Sequence, residues 1–264
     1  MKSVLYIAVF LTLAPAGAHA AEKSEADVLL DKSIEATQVT QEISTYRMSI
    51  HRSGDDKVRV MDVWLDRKAD DDARALIKIK EPANLRGTAL LTVQDKGEKA
   101  KQWLYLPAYK KARRIRRGTE EEPFLGSDFT IGDLSVDQAQ LYKLSKKSDA
   151  PCGDQTPGVT CHVLEGTPGE GVDPNDLMYS RKLIFLRGDT GLHVRSEFYG
   201  KDGKLRKVMT VHGLKKDAKG GHWTAEKLRM EDVTRKSVTE ITFDKRGVGQ
   251  KPPSNVFTVE YLEK

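Results

Sequence analysis

The chain is poor in the residues that redox, thiol and metal chemistry use. It has two cysteines and six histidines in 264 residues. His51, His162, His193, His212 and His222 fall in separate segments without a His-x-x-x-His or similar spacing, so a metal site would have to be assembled by tertiary coincidence. The nucleophile elbow Gly-x-Ser-x-Gly is missing, because the residue two after Ser127 is Phe129. The glycines of Gly166-Thr167-Pro168-Gly169-Glu170-Gly171 are interrupted by proline and acid, which suits a flexible loop and not a phosphate cradle. Carboxylates are plentiful, but no pair of them is marked for acid–base work. Internal repeats and low-complexity tracts are also missing. A catalytic reading is left without residues to rest on, so the expectation is a protein that is not an enzyme and uses no cofactor. A hydrolase built from scattered residues is the minor alternative.

Long apolar runs are scarce too. The one present is at the start: Lys2, then Val4 to Ala14 apolar apart from Thr12, then Pro15, Gly17 and Ala18-His19-Ala20. This is the pattern of a signal peptide over 1–20, cut after Ala20. It is shorter than the roughly 20 residues a permanent span needs. A buried amino-terminal helix is the bland alternative, but such a helix is expected to be amphipathic. The remaining 21–264 suit a single exported domain. The formal charge of +5 falls to +4 once Lys2 is lost, a mild basic bias. For an exported chain this points to anionic head groups or an acidic protein surface and away from nucleic acid. Outside the cytoplasm, Cys152 and Cys161, with eight residues between them, are expected to form a disulfide that closes a loop.

Helical patterning is equally sparse. Glu25 to Thr37 is the one clear case, with Val28, Leu29 and Ile34 on one face and Ser24 and Asp27 able to cap its start. From Ser44 onward the period is two: Tyr46, Met48 and Ile50; Met61, Val63 and Leu65; Ile77 and Ile79; Ala89, Leu91 and Val93; Leu104 and Leu106. The carboxyl half repeats the theme at Leu183 and Phe185, Val194 and Phe198, Val208, Trp223 to Met230, and Val238 to Phe243. Turn sequences such as Gly54-Asp55-Asp56 and Lys201-Asp202-Gly203 suit hairpins. The pattern predicts a mainly β protein with few helices and about eleven strands in a meandering antiparallel sheet. A sheet this wide curls or splits. The expected architecture is therefore a strongly curved sheet with helix in its mouth; a two-layer sandwich is the alternative.

Two segments stand out from the strands. Lys110, Lys111, Arg113, Arg114, Arg116 and Arg117 place six cations in eight residues, followed by Glu120, Glu121 and Glu122. They suit either a solvated edge strand protected against pairing or a docking surface for an acidic partner or anionic head groups. The next segment carries Phe124, Leu125, Phe129, Ile131 and Leu134 among glycines and short polar residues. These side chains either plug one end of the core or form a lid over an apolar cavity.

Taken in order, Pro82-Ala83-Asn84-Leu85-Arg86-Gly87-Thr88-Ala89-Leu90-Leu91, Gln102-Trp103-Leu104-Tyr105-Leu106-Pro107, Phe124-Leu125-Gly126-Ser127-Asp128-Phe129, Asp133-Leu134, Val256-Phe257 and Tyr261-Leu262 resemble the outer-membrane lipoprotein-sorting family. These are LolA-like proteins, and the resemblance is to the branch found beside RND or MMPL-type exporters. It implies a half-open antiparallel β-barrel closed by helices, with an apolar cavity for acyl chains. It also implies a periplasmic carrier of lipid or acylated lipoprotein that touches membranes transiently. The chain departs from LolA itself in length and in its basic strand, which favours hydrophobic cargo exchanged with an RND-type transporter. A non-carrying accessory subunit that docks on such an exporter is the alternative. Inward side chains expected to line the cavity are Met48, Ile50, Met61, Val63, Leu65, Ile77, Ile79, Leu91, Leu104 and Leu106; ordinary core packing is their other reading. Each long acyl chain buried there would gain about 0.8 kcal/mol per methylene.

Overall fold

A serine and an aspartate three residues apart start the main helix. Ser24 caps α1 (Glu25–Thr37): its hydroxyl accepts from the Asp27 amide at 3.2 Å, and the Ser24 amide donates to the Asp27 carboxylate at 3.2 Å. Two amides that the first turn leaves open are thereby satisfied. The buried stripe is Ala26, Leu30, Ser33 and Ile34. It is rotated from the expected one, and Val28 faces outward. The structure, a computed structural model, describes residues 23–68, 72–96, 98, 100–115, 121–134, 141–154, 156–216 and 221–264. The expected signal peptide lies outside the described residues.

The chain then becomes strand and turn. β1 (Gln41–Arg52), β2 (Asp55–Arg67), β3 (Ala73–Glu81), β4 (Ala89–Gln94), β5 (Lys101–Leu106) and β6 (Lys111–Arg114) make one antiparallel meander. β7 (Tyr142–Lys146), β8 (Ala150–Pro151), β9 (Thr160–Pro168), β10 (Arg181–Arg187), β11 (His193–Tyr199) and β12 (Leu205–His212) make a second antiparallel run. β13 (Lys215–Lys216) and β14 (Trp223–Thr224) form a separate ribbon. β15 (Lys227–Asp232) and β16 (Ser237–Val248) follow, and α2 (Val259–Leu262) lies near the end. The first and last long strands pair with each other, from Glu42 opposite Val248 to His51 opposite Val238. That pairing fuses the two halves into one sheet of 14 strands, ordered β6-β5-β4-β3-β2-β1-β16-β15-β12-β11-β10-β9-β7 with β8 beside β9.

Strand alternation gives the sheet two faces. On the inner face lie Met48 and Ile50 of β1, Met61 and Val63 of β2, Ile77 and Ile79 of β3, and Met209 and Met230 of β12 and β15. At one end of this face α1 packs Ala26, Leu30 and Ile34 on Leu144, Leu164, Ile184 and Leu186. On the outer face, Val256, Phe257 and Leu262 cover Leu76, Ala89 and Leu91. The disulfide Cys152–Cys161, with S–S 2.01 Å, sits with Val163, Phe185 and Val194. These alternate with Leu164, Ile184 and Leu186, which places the bridge on the outer face as well.

Two expectations change. Among the described residues the main sheet has 14 strands and a separate ribbon has two, not about eleven in all. Strands such as β7 and β9 were obscured by the glycine- and proline-rich segments beside them. The sheet does not close or curl strongly into a half-barrel sealed by helices; among the described residues β6 and β7 are its outermost strands, and α1 and α2 lie on opposite faces. It still bends. β5 and β12 are seven positions apart, about 34 Å in a flat sheet. Yet Gln102 of β5 bonds the Leu134 carbonyl while Lys207 of β12 bonds Asp133, the preceding residue. Two side chains and two hydrogen bonds cannot span the flat distance, so the inner face is concave around that loop.

Candidate functional site

The concavity is occupied by the segment 121–134. Its backbone folds back on itself: the Phe124 amide donates to the Phe129 carbonyl at 2.8 Å, and the Ile131 amide to the Glu122 carbonyl at 3.0 Å. The reversal requires left-handed backbone at Leu125 (φ 54°) and Gly126 (φ 78°). Glycine accepts this freely; leucine pays about 1–2 kcal/mol. Phe124, Phe129 and Ile131 are buried, while Leu125 and Leu134 are half-buried.

Two buried acids fasten the loop to the sheet. Asp128 accepts from the Ser237 hydroxyl at 2.5 Å and the Thr239 hydroxyl at 2.7 Å, both on β16, and its own amide donates to Thr239 at 2.9 Å. Asp133 accepts from Lys207 Nζ on β12 at 2.9 Å, from the Tyr179 hydroxyl at 2.8 Å and from the Thr130 amide at 2.9 Å. Both members of the Lys207–Asp133 pair are about 1% exposed. Burial pushes the Asp133 carboxyl up, but the Lys207 charge, the Thr130 amide and the Tyr179 hydroxyl outweigh it and hold the carboxyl below the ordinary aspartate value.

Around this second fastening the inner face is polar and aromatic. Tyr179 stacks obliquely on Phe198 at 4.9 Å, and the Tyr142 hydroxyl donates to the Tyr179 carbonyl at 2.8 Å. Lys182 of β10 places its ammonium 3.9 Å from the Tyr142 ring centre. Burial drives its pKa down to about 8 against the pull of the Asp133 charge.

The candidate cavity residues fall into four groups. Met48, Ile50, Met61, Val63, Ile77 and Ile79 lie together on the inner face in one cluster with Phe124 and Phe129. Leu65 shares their face but packs separately with Val39 and Ala75. Leu104 and Leu106 are half-buried near the β6 edge. Leu91 is on the other face, beneath Val256 and Phe257, and leaves the set. It lies one register step from Leu90, the β4 residue that does face inward, and a one-residue offset reverses the face. Of the basic run, Lys110, Lys111, Arg113 and Arg114 are exposed on β6 and the turn before it; Arg116 and Arg117 lie outside the described residues. Sequence patterning missed Lys207. The Val208 alternation suggested that it faced outward, whereas Lys207, Met209 and Val211 face in.

A family model described as "Uncharacterized protein" matches residues 71–264. No curated protein matches the chain. Among solved structures, a domain described as an outer membrane lipoprotein-sorting protein from Vibrio parahaemolyticus superposes with a TM-score of 0.78 at 23% identity, over 90% of this chain and 97% of that one. A DUF1329 family protein from Desulfovibrio piger gives 0.77 at 24% identity, over 91% and 100%. A LolA superfamily protein from Nitrosomonas europaea gives 0.66 at 18% identity, over 89% and 98%. The chain belongs to the family whose model spans residues 71–264, and its fold is the LolA-like fold of outer-membrane lipoprotein-sorting proteins.

Proposed function

We propose that the protein is a non-enzymatic periplasmic carrier that holds lipid or acylated lipoprotein on the inner face of its sheet. One observation carries the reading. An apolar face running from β4 to β11, eight adjacent strands, packs against Phe124 and Phe129 of a loop with polar fastenings, and against Met178 and Tyr179, instead of against a second sheet. A sandwich would need the whole of one layer to move before cargo entered. Here the cover is a loop held by Asp128, Asp133 and the Leu134 carbonyl, and parting it from the sheet would uncover side chains among Met48, Ile50, Met61, Val63, Ile77 and Ile79. An acyl chain laid along those side chains would replace the contacts of Phe124 and Phe129 and gain about 0.8 kcal/mol per methylene removed from water.

The likeness in fold to lipoprotein-sorting proteins supports the same reading. Export through a cleaved signal peptide over 1–20, a single domain over 21–264, and transfer to or from an RND-type exporter belong to the same proposal. The test is lipid uptake. Delipidated protein is incubated with vesicles of radiolabelled phospholipid, separated by size and counted. Stoichiometric label on the protein is expected; protein that emerges unlabelled after repeated exposure overturns the carrier reading.

A further inference from the structure

One end of the sheet combines exposed apolar side chains with cations. Register places the β1–β2 turn, the end of β3, the β5–β6 turn and the β15–β16 turn at this same end. Arg52 pairs with Asp55, Val60 with Glu81, His51 with Val238 and Asp232 with Ser237. The β3–β4 turn packs on the β5–β6 turn closely enough that a Cβ on Gly87 would meet Pro107 at 3.3 Å. Four large apolar side chains are exposed among the described residues, and three of them are here: Val58, Tyr109 and Val233. Each has two cations within three residues: Lys57 and Arg59, Lys110 and Lys111, Arg235 and Lys236, of which Lys57 is paired with Asp55 and Arg235 with Asp232.

The β5–β6 turn is the strongest part of this surface. Tyr109 is 61% exposed, and the Arg113 guanidinium lies 4.9 Å from its ring centre. Among the described residues, no carboxylate comes within ion-pair distance of Lys110, Lys111, Arg113 or Arg114, although Arg47, Lys80, Lys227 and Arg229 on other strands are paired with acids. Like charges this close repel, so the arrangement stores unfavourable energy that an anionic surface would relieve. The outward amide of Ala112 is already taken by the Glu263 carboxylate at 2.9 Å, which leaves this edge poorly suited to adding a partner's strand. Tyrosine is the residue that settles at a membrane–water boundary, and basic side chains are drawn to anionic leaflets. On the inner face, Leu106 and Leu104 lie opposite Lys111 and Arg113, so the half-buried start of the apolar face opens beside the cations.

We propose that this end of the sheet docks on an anionic lipid bilayer, led by the β5–β6 turn with Tyr109 in the head-group layer. Docking goes beyond the carrier reading and is tested separately from it. The purified protein is sedimented with phosphatidylcholine vesicles, with and without phosphatidylglycerol, at low and physiological salt. Binding is expected only with phosphatidylglycerol, and weaker in salt. The variant Lys110→Glu, Lys111→Glu, Arg113→Glu, Arg114→Glu is expected to lower the partition coefficient on the order of a hundredfold or more, at about fivefold per charge lost. Circular dichroism checks that this exposed set leaves the fold intact, and Tyr109→Ser alone is expected to weaken binding several-fold with no change of charge. Equal binding to both vesicle types, unchanged binding by the fourfold variant, full competition by inorganic phosphate, or capture by an acidic protein without vesicle binding would each overturn the proposal. Vesicle binding without lipid uptake would leave docking standing and remove the carrier.

Discussion

Lys207 and Asp133 are 74 residues apart in sequence, yet they form a 2.9 Å ion pair sealed from solvent between β12 and the loop on the inner face. The pair is a fastening more than a source of net stability. Taking both charges out of water costs about as much as their attraction returns, while removing one partner strands the other. The loop therefore has one well-defined seat, and leaving it requires both charges to find water together.

Breaking the pair from one side is accordingly severe. Lys207→Met should lower unfolding free energy by about 3–5 kcal/mol, whereas Lys207→Met with Asp133→Leu should recover much of that loss. Urea denaturation of the single and double variants measures both. Because the folded Asp133 pKa is depressed, its contribution is present above the ordinary value of 3.8 and is lost as pH falls through the lower folded value. The double variant should lack that acid limb.

Removing the hydroxyl donors to Asp128 should weaken the seat of the loop without unfolding the sheet. Ser237→Ala with Thr239→Val removes the two hydroxyl donors to Asp128. A loss of about 1–3 kcal/mol is expected for a buried carboxylate left short of donors. Proteolysis within 121–134 and binding of a hydrophobic dye should both rise. Equal dye binding and equal cleavage in the variant and the parent protein would mean that the loop does not cover the apolar face.

Much of this architecture was legible because local rules and tertiary packing agree. The Ser24–Asp27 cap marked the start of α1, and Tyr46, Met48 and Ile50 alternate as β1 requires. An edge strand was one of the two readings of the basic run, and among the described residues β6 ends the sheet. Periodicity could not place residues whose environment comes from distant strands. Val208 looked like the inward residue of β12, but Lys207 takes that position because Asp133 arrives from another part of the chain. β10 is buried on both faces, α1 covering Ile184 and the disulfide region covering Phe185, so alternation there carried no direction. Trp223 to Met230 read as one strand and is two, β14 and β15, assigned to different sheets.

His193 makes stability depend on mildly acidic pH. Burial lowers its pKa to about 4, against the pull of the Arg195 carbonyl, and its Nε2 lies 3.0 Å from that carbonyl and 2.8 Å from the Ser196 hydroxyl. A depressed folded value means that the unfolded chain takes up a proton first. Stability is whole above pH 6.5 and falls as pH drops toward about 4. With the ring only partly withdrawn, the loss should be about 2 kcal/mol. Thermal unfolding between these pH values should show the slope in the parent protein and a flatter one in His193→Gln.

The disulfide should matter for stability and not for cargo. It closes a short loop on the outer face, away from Met48, Met61 and Phe129. Replacing Cys152 and Cys161 with alanine is expected to cost about 2–3 kcal/mol, seen as a lower urea midpoint, while lipid uptake is unchanged.

The carrier account rests on the inner face holding hydrophobic cargo, and native mass spectrometry of protein released gently from cells reads this directly. The expected spectrum contains a population heavier by the mass of one lipid or acylated molecule, and that population shrinks when Met61→Lys places a charge beneath the loop. A single unliganded mass, before and after incubation with lipid vesicles, would contradict the account.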